Sequence, residues 1–213
     1  MSAAILFPQN LSRYSDTLSL PRNKVKPVDR KRESNLIDRA QRGDSQAFAE
    51  LYNAHVDKIY RYIYYRVDRG SIAEDLTADV FVRAMEGLPT YEDRDLPLLA
   101  WLYRIAHARV VDYYRRARYS ENHEDIQDVN LAVVQDMDGD LLNEQRTDAV
   151  RRALKLLSAE HQQVIVLRFV EGNDLETTAK MLGKTVGAVK SLQFRAVQSL
   201  VKSLESLGLS DEK

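Results

Sequence analysis

The strongest chemical signal in the sequence is a short helical segment, a glycine-centred turn and a second, basic helical segment. Asp174 and Thr185 can cap the two helices, and Gly183 supplies the left-handed residue that the turn requires. From Lys180 to Leu204 there are five Lys or Arg residues and no acidic residue. Such a helix-turn-helix can enter a major groove, with Lys and Arg on phosphates and Gln or Arg on base edges. Spacing and charge together favour DNA binding over an ordinary helical hairpin with a solvated face.

The outward side of the second helix is expected to make the DNA contacts. Val186 and Val189 are expected to face the core, and Ala179 lies where the two helices must cross closely. The remaining residues are the predicted DNA-binding set: Lys184, Thr185, Gly187, Lys190, Ser191, Gln193, Phe194 and Arg195.

A second signal is a helix at about residues 98–118 that mixes aromatic and basic side chains. Only Asp112 opposes its positive charge. Basic residues hold a phosphate backbone and aromatic rings stack on unpaired bases, so this mixture suits single-stranded or melting DNA. Leu102, Ile105, Val110 and some of the tyrosines are expected to be core instead. The candidate DNA-binding residues of this helix and of the loop before it are Tyr91, Trp101, Arg104, His107, Arg109, Asp112, Tyr113, Arg115 and Arg116.

A third signal is the acidic cluster of Glu74, Asp75 and Asp79 on the preceding helix. Ser71 and Glu74 have the spacing of a capping box, which predicts that this helix starts at Ser71. Acidic residues in a first turn ordinarily interact with the helix dipole. Paired carboxylates also suggest a metal site, but no histidine lies at ligand spacing, and the sequence has no nucleophile elbow, phosphate loop or zinc motif. We therefore expect no metal, no cofactor and no catalytic residue.

The composition limits the kind of protein. The chain has 213 residues, no cysteine and a net charge of −1. This length allows one large domain or two small ones. A uniformly basic coat is excluded, so any basic surface must be local. Without cysteine the chain has no disulfide and no thiolate metal site. No apolar run approaches the roughly 20 residues that span a bilayer, and a soluble, cytoplasmic protein is expected.

Only helical periodicity is found along the chain, which predicts an all-α fold. Prolines and polar residues before Leu36 predict a disordered tail. Between Tyr119 and Gln145 there are eight carboxylates and no Lys or Arg, which predicts a flexible acidic linker. The predicted units are a tail at 1–33, an N-terminal helical domain at 34–118, the linker at 119–146 and a C-terminal helix-turn-helix domain at 147–213.

Local signals predict several helix boundaries within these domains. Asp44 or Ser45 can cap one helix, and Gly70 is expected to end it. Ser158 is expected to cap a helix at the start of the C-terminal domain. The buried stripe of the helix after Gly70 is expected to include Met85.

Four segments, in order, resemble the extracytoplasmic-function sigma factors of bacterial RNA polymerase, a group within the sigma-70 family. The family's polymerase-binding helix is similar to AEDL at 73–76 with FVRA at 81–84. Its promoter-melting helix is similar to AWLYRIA at 100–106, with Asp112 and RR at 115–116. The start of its C-terminal domain is similar to LLS at 156–158 through VIVLR at 164–168, and its recognition helix to VGAVKS at 186–191 with RA at 195–196. The resemblance covers about Leu36 to Leu204.

The resemblance implies a sigma factor that binds RNA polymerase core and directs promoter-specific transcription initiation. The first domain would bind the clamp of the largest polymerase subunit through Glu74, Asp75, Asp79 and Arg83, and would open the −10 element of promoter DNA. The C-terminal domain would bind the −35 element and the flap of the second-largest subunit. The acidic linker would thread toward the active centre and the RNA exit path. An anti-sigma factor is a further implied partner, and no small-molecule substrate is implied.

Three positions depart from the family's pattern. Ala78 stands where Gln is common, Ala108 where Asn is common in the melting helix, and Leu192 where Arg is common. The last change leaves Gln193 and Arg195 as the better base-reading candidates.

Two other functions are compatible with parts of the sequence. A helix-turn-helix repressor that never touches polymerase would leave the melting helix and the acidic linker without a purpose, and such repressors usually dimerise. A helical carboxylate metalloenzyme would be built on the acidic cluster at 74–79.

Overall fold

The protein is described here by a computed structural model over residues 29–92, 96–121 and 141–208. All regular structure in these ranges is helical, which confirms the predicted all-α fold. A 3₁₀ turn lies at Leu88–Thr90, and a π-helical turn lies at Val166–Val170. The α-helices of these ranges are α1 Arg30–Gln41, α2 Ser45–Tyr64, α3 Gly70–Gly87, α4 Leu98–Glu121, α5 Leu141–Lys155, α6 Ala159–Ile165, α7 Leu175–Leu182 and α8 Val186–Ser206.

The helices extend into the segments that were expected to be tail and linker. Helix α1 begins at Arg30, inside the tail expected at 1–33. Helix α4 continues to Glu121 and α5 begins at Leu141. The centre of the expected linker, residues 122–140, and the expected tail before residue 29 lie outside the described residues.

Side-chain caps begin four of the helices, as the sequence predicts. Asp44 accepts hydrogen bonds from the backbone N–H groups of residues 46 and 47 at the start of α2. Ser158, Asp174 and Thr185 each accept from the backbone N–H three residues ahead, at the starts of α6, α7 and α8. These bonds satisfy N–H groups that have no partner within a helix. Gly183 has φ 62°, which confirms the predicted left-handed residue of the turn.

The predicted start of α3 is wrong. The helix begins at Gly70, with Arg69 in the N-cap position and no side-chain cap. Ala73 N already donates to Arg69 O, so Ser71 lies inside the first turn rather than before it. Ser71 and Glu74 therefore do not form a capping box. Gly70 also does not end α2, which stops at Tyr64.

Two apolar residues that were expected in the core are exposed. Met85 is 55% exposed because Val80, Phe81 and Ala84 already fill the buried side of α3. Val186 is 36% exposed at the first position of α8, before the helix reaches the core at Val189.

The N-terminal part, α1 to α4, packs around α2, which contacts the other three helices. In the C-terminal part, α8 packs against α5, α6 and α7. Helix α7 also packs against α4, and the π-helical turn packs against α2. The two parts therefore share one continuous core over the described residues, and this docked arrangement is not apparent from the sequence.

Candidate nucleic-acid interface

Helices α7 and α8 form the predicted helix-turn-helix. Lys184 N donates to Ala179 O at 2.9 Å and closes the turn around Gly183. Ala179 is buried, as its position at the crossing of the two helices predicts. Val189 and Leu192 anchor α8 in the core. The remaining surface of the first half of α8 is exposed to solvent.

Most of the residues predicted to contact duplex DNA are exposed on this unit. Gln193 is the exception, because it is half-buried and its Oε1 accepts from Arg168 Nε at 2.8 Å. This bond occupies the amide oxygen of Gln193, so only its amide nitrogen can contact a base edge. Arg195 has no such restriction and is the stronger base-reading candidate. The exposed members are Lys184, Thr185, Gly187, Lys190, Ser191, Phe194 and Arg195.

The outward side of α4 forms an open cleft with α3. Tyr91, in the turn after α3, lies against Trp101 with ring centroids 4.8 Å apart. Gly87 permits Trp101 to pack closely against the end of α3, since a Cβ at residue 87 would lie 3.1 Å from Trp101 Cζ2. Guanidinium groups beside an aromatic pair suit a phosphate backbone with unstacked bases. The cleft has a volume of ≈ 510 Å³ and is lined by Arg83, Trp101, Arg104, Ile105, Ala108 and Arg109.

A network of carboxylates and guanidinium groups forms one wall of the cleft. Arg109 is bonded to Asp112 and lies 3.6 Å from Asp79. Asp112 also pairs with Arg115 at 2.9 Å, and Asp79 with Arg83 at 3.2 Å. These pairs join α3 to α4 and fix the directions of the arginines. Asp112 is thus a positioning carboxylate within the predicted DNA-binding set.

Other predicted residues of α4 differ in their access to solvent. Arg104 and Arg116 are exposed. Tyr113 is half-buried and packs edge-on against Tyr114, with centroids 5.1 Å apart. Burial raises the pKa of Tyr113. Part of the Tyr113 ring is therefore occupied by packing.

His107 is turned away from the cleft. Its Nδ1 lies 3.3 Å from Nη1 of the buried Arg66, and Glu160 of α6 lies nearby. Burial, followed by the charge of Arg66, lowers the pKa of His107 to about 4. A neutral, half-buried imidazole is a poor phosphate ligand, and His107 is not among the residues that line the cleft.

The outward side of α3 combines carboxylates with apolar side chains. Glu74 and Asp75 are exposed. Val82 and Met85 lie on the same side of the helix and are 49% and 55% exposed. Tyr52 of α2 adds a further exposed ring. The carboxylates were predicted to be exposed, whereas Met85 was expected in the buried stripe, because three- and four-residue spacing looks the same on an exposed apolar surface as on a buried face.

The carboxylates of α3 do not form a metal site. In the described part of the chain, no group of three or more His, Cys, Asp or Glu side chains could hold a metal ion. Asp79 is instead paired with arginines. Among the helices of the same ranges, none is long and apolar enough to cross a membrane.

A polar contact that the sequence analysis missed joins the two parts of the chain. Arg61 donates from Nε and Nη2 to the two carboxylate oxygens of Glu171, at 2.7 and 2.9 Å. Arg151 of α5 lies over the ring of Tyr64, 3.8 Å from its centroid, and donates to the Val67 carbonyl at 3.0 Å. The feature of the sequence that could have indicated this contact is the position of Arg61 among tyrosines, in YRYIYYR at 60–66.

Arg66 lies beside this contact and is 1% exposed. Its Nη1 bonds to the hydroxyl of Tyr62, but its Nε and Nη2 have no hydrogen-bond partner among the described residues. Helix α6 approaches the same place, since Tyr62 is hydrogen-bonded to Gln163. A buried guanidinium without a carboxylate opposes the docking that buries it. The desolvation of Arg66 therefore offsets part of the stabilisation that the Arg61–Glu171 pair, the Arg151 contacts and the shared core give to the docked arrangement.

Comparison with known proteins identifies the class to which this arrangement belongs. The family described as Sigma-70 region 2 matches residues 51–120, and the family described as Sigma-70, region 4 matches residues 153–202. The ECF RNA polymerase sigma factor BldN of Streptomyces coelicolor is 38% identical over 83% of this chain and 67% of its own. The ECF RNA polymerase sigma factor SigD of Mycobacterium tuberculosis is 31% identical over 81% of this chain and 84% of its own.

Solved structures support the fold. CnrH, in a complex with the cytosolic domain of CnrY, superposes with a TM-score of 0.60 over 82% of this chain and 98% of that one. The sigma factor RpoE, in a complex with the anti-sigma factor NepR from Bartonella quintana, has a TM-score of 0.56 over 74% of this chain and 96% of that one. Both are 24% identical to this chain.

The matches to Sigma-70 regions 2 and 4, in this order along the chain, define a protein of the sigma-70 class. The chain belongs to the ECF RNA polymerase sigma factors, which confirms the family suggested by the sequence. It is a sigma factor that directs promoter-specific transcription initiation by RNA polymerase. The sigma factor family consists of non-catalytic transcription regulators.

Proposed function

We propose that three surfaces divide the work of initiation. The exposed side of α3 binds polymerase core, the cleft between α3 and α4 holds the melted −10 element, and the outward side of α8 reads the −35 element. The observation that carries the proposal is the cleft, where Arg104 and Trp101 provide a cation and a stacking surface together, with Tyr91 packed against Trp101.

The α3 surface fits a protein partner. Glu74 and Asp75 offer carboxylates beside the exposed Val82 and Met85, and interfaces typically combine an apolar centre with a polar rim. Its partner would be the clamp of the largest polymerase subunit, and basic groups there would complement the carboxylates. The C-terminal part would meet the flap of the second-largest subunit, for which the exposed Leu156 is a candidate contact.

An anti-sigma factor is a further proposed partner of this chain. RpoE, one of the sigma factors with a similar fold, is held in its structure by the anti-sigma factor NepR. The proposal includes the division into domains at 34–118 and 147–213, with the acidic segment at 119–146 between them. The acidic segment would follow a basic channel in polymerase, because its carboxylates cannot attract DNA.

Promoter binding requires the docked parts to separate. The −10 and −35 elements lie about 25 base pairs apart, which is about 85 Å of B-form DNA. Helix α4 has 24 residues and is about 36 Å long, and α7 of the helix-turn-helix packs directly against it. The α4 and α8 surfaces therefore cannot reach both elements while the parts are docked.

The cleft can be tested by replacing Arg104, which is exposed and lines it. We expect Arg104→Ala to reduce open-complex formation on a duplex promoter, and an artificially melted promoter to restore part of the activity. Arg152→Ala is the matched control, since Arg152 is an exposed arginine on α5, outside the proposed surfaces. Permanganate footprinting measures the melted region. Equal footprints for Arg104→Ala and the parent protein would contradict the assignment of the cleft.

A further inference from the structure

Helix α1 extends a side chain to the turn that follows α3. Gln41, the last residue of α1, donates from Nε2 to the carbonyls of Leu88 and Tyr91, at 3.0 and 2.7 Å. One amide nitrogen with two hydrogens serves both carbonyls, which a carboxylate could not do. Gln41 lies outside the residues matched by the Sigma-70 region 2 family, which begin at 51. The turn that carries Tyr91 is therefore held by a helix that precedes the region 2 match.

Glu33, also on α1, binds the start of α4, which is the other end of the segment between α3 and α4. Its Oε2 accepts from the backbone N–H of Leu98, the first residue of α4, at 3.3 Å. Its Oε1 is bonded to His55 Nε2 at 3.0 Å. Burial opposes ionisation, but the hydrogen bond and charge of His55 bring the pKa of Glu33 below its ordinary value. The carboxylate is thus charged at the N-terminus of α4, where negative charge is favourable.

The two anchors hold the segments that carry Tyr91 and Trp101, and Trp101 lines the cleft. Tyr91 is at the end of the turn held by Gln41, and Trp101 lies in the first turn of the helix capped by Glu33. The rings are 4.8 Å apart, so a small displacement of either anchor separates them. Stacking sites need such support, because a loosely held ring must be ordered again when the base binds.

We propose that α1 is a positioning clamp for the −10 cleft, in which Gln41 and Glu33 hold Tyr91 and Trp101 ready to stack on unpaired promoter bases. This inference rests on the proposed function of the cleft. Neither clamp residue touches DNA, so both are positioning residues. Gln41 is the better one to test, because Glu33 is buried with His55 and its loss would destabilise the domain.

The test uses a side chain of similar length without a donor. Gln41→Met removes both hydrogen bonds, and Gln41→Lys retains a donor that can reach the carbonyls. Asn35→Leu removes an exposed amide from the same helix and serves as the control. Trp101 is the only tryptophan of the chain, so its fluorescence reports on the aromatic pair in the free protein. We expect Gln41→Met to shift the emission to longer wavelength and to increase acrylamide quenching, whereas Gln41→Lys and Asn35→Leu resemble the parent.

The second readout is binding of the variant holoenzyme to a fork-junction DNA with a single-stranded −10 non-template tail. Gln41→Met should weaken this binding about tenfold, which corresponds to about 1.4 kcal/mol. Affinity for polymerase core and for a duplex −35 fragment should not change, because α3 and α8 are untouched. A general loss of folding would lower all three affinities, so this pattern separates positioning from stability.

Fork binding by Arg104→Ala is measured in the same assay, because it separates the role of the cleft from the role of the clamp. If Arg104→Ala weakens fork binding but Gln41→Met does not, the cleft is confirmed and the clamp is overturned. Unchanged Trp101 fluorescence in Gln41→Met would also overturn the clamp. If Arg104→Ala keeps full fork affinity, the proposed cleft itself is contradicted, and the role of the clamp in DNA binding falls with it.

Discussion

Replacing Glu171 with Gln should shift the two parts of the chain from the docked arrangement toward separation. The Glu171 side chain is 3% exposed and that of Arg61 is 22% exposed, so solvent screens their pair weakly. Gln keeps the size of Glu171 but removes its charge, and one of its two terminal atoms becomes a donor that faces the guanidinium. Hydrogen bonds to charged groups contribute about 1.5–3 kcal/mol. We therefore expect docking to weaken by about 1–3 kcal/mol, or about 5- to 150-fold in the docking equilibrium.

The absence of cysteine makes this change measurable by energy transfer between two dyes. Asn53→Cys on α2 and Gln198→Cys on α8 introduce exposed labelling sites on the two parts of a chain that has no other thiol. In single-molecule measurements, Glu171→Gln should enlarge a population with low transfer efficiency. Glu205→Gln makes the same charge change at an exposed position of α8 and should leave the distribution as it is in the parent.

Identical efficiency distributions for Glu171→Gln and the parent would refute the reasoning, provided that circular dichroism shows an intact fold. That result would mean that the bidentate pair does not control docking. A second consequence can be measured by NMR: separation exposes His107 to solvent, so its pKa should rise in Glu171→Gln toward the ordinary histidine value.

The other predictions concern the proposed surfaces and the half-buried His107. Asp75→Arg should weaken binding to polymerase core by about 1–3 kcal/mol through like-charge contact. Asp75 is a cleaner choice than Asp79, because Asp79 is paired with Arg83. Unchanged affinity in a competition assay would remove this side of α3 from the interface. Lys190→Ala should weaken binding to all −35 sequences and reduce the salt slope by about 1. Arg195→Ala should cost about 1–3 kcal/mol and relax the preference at one or two positions of a randomised −35 site, whereas a uniform loss would make Arg195 a phosphate anchor. The pKa of His107 is about 4 in the folded protein and higher in the unfolded chain, so the unfolded state binds the proton first as the pH falls. Stability should therefore decrease from about pH 6.5 to about pH 4 in urea titrations, and His107→Gln should flatten this decrease; an equally steep decrease in the variant would show that another group is responsible.

The helix-turn-helix could be predicted closely because its boundaries depend on neighbouring residues. Asp174 and Thr185 cap their own helices, and Gly183 adopts the left-handed conformation in its own turn. None of these features needs a distant partner. The Ser71 capping box failed for a local reason too, since Gly70 had already begun the helix and placed Ser71 within its first turn.

Exposure along α3 could not be predicted from periodicity. Val82 and Met85 recur at helical spacing in the same way as the buried Val80 and Phe81. An apolar residue on a docking surface and one in the core give the same pattern, and only the packing of neighbouring helices distinguishes them.

Contacts between distant segments were also beyond the reach of the sequence. Arg61 and Glu171 are 110 residues apart, and Gln41 is 50 residues from Tyr91. Each residue by itself resembles an ordinary surface side chain of an amphipathic helix. The sequence therefore predicted which residues carry charge and aromatic rings, but not which of them are held in place or partly buried, as His107 is.

The central claim is tested most directly by transcription with purified core polymerase, with and without this protein, on promoters selected from a random DNA pool. We predict that transcripts start at defined positions only when the protein is present. The selected promoters should share an upstream and a −10 element, and their use should fall when Arg195 or Arg104 is replaced by Ala. Equal transcription with and without the protein, or selected DNA that lacks a −10 element, would contradict the claim.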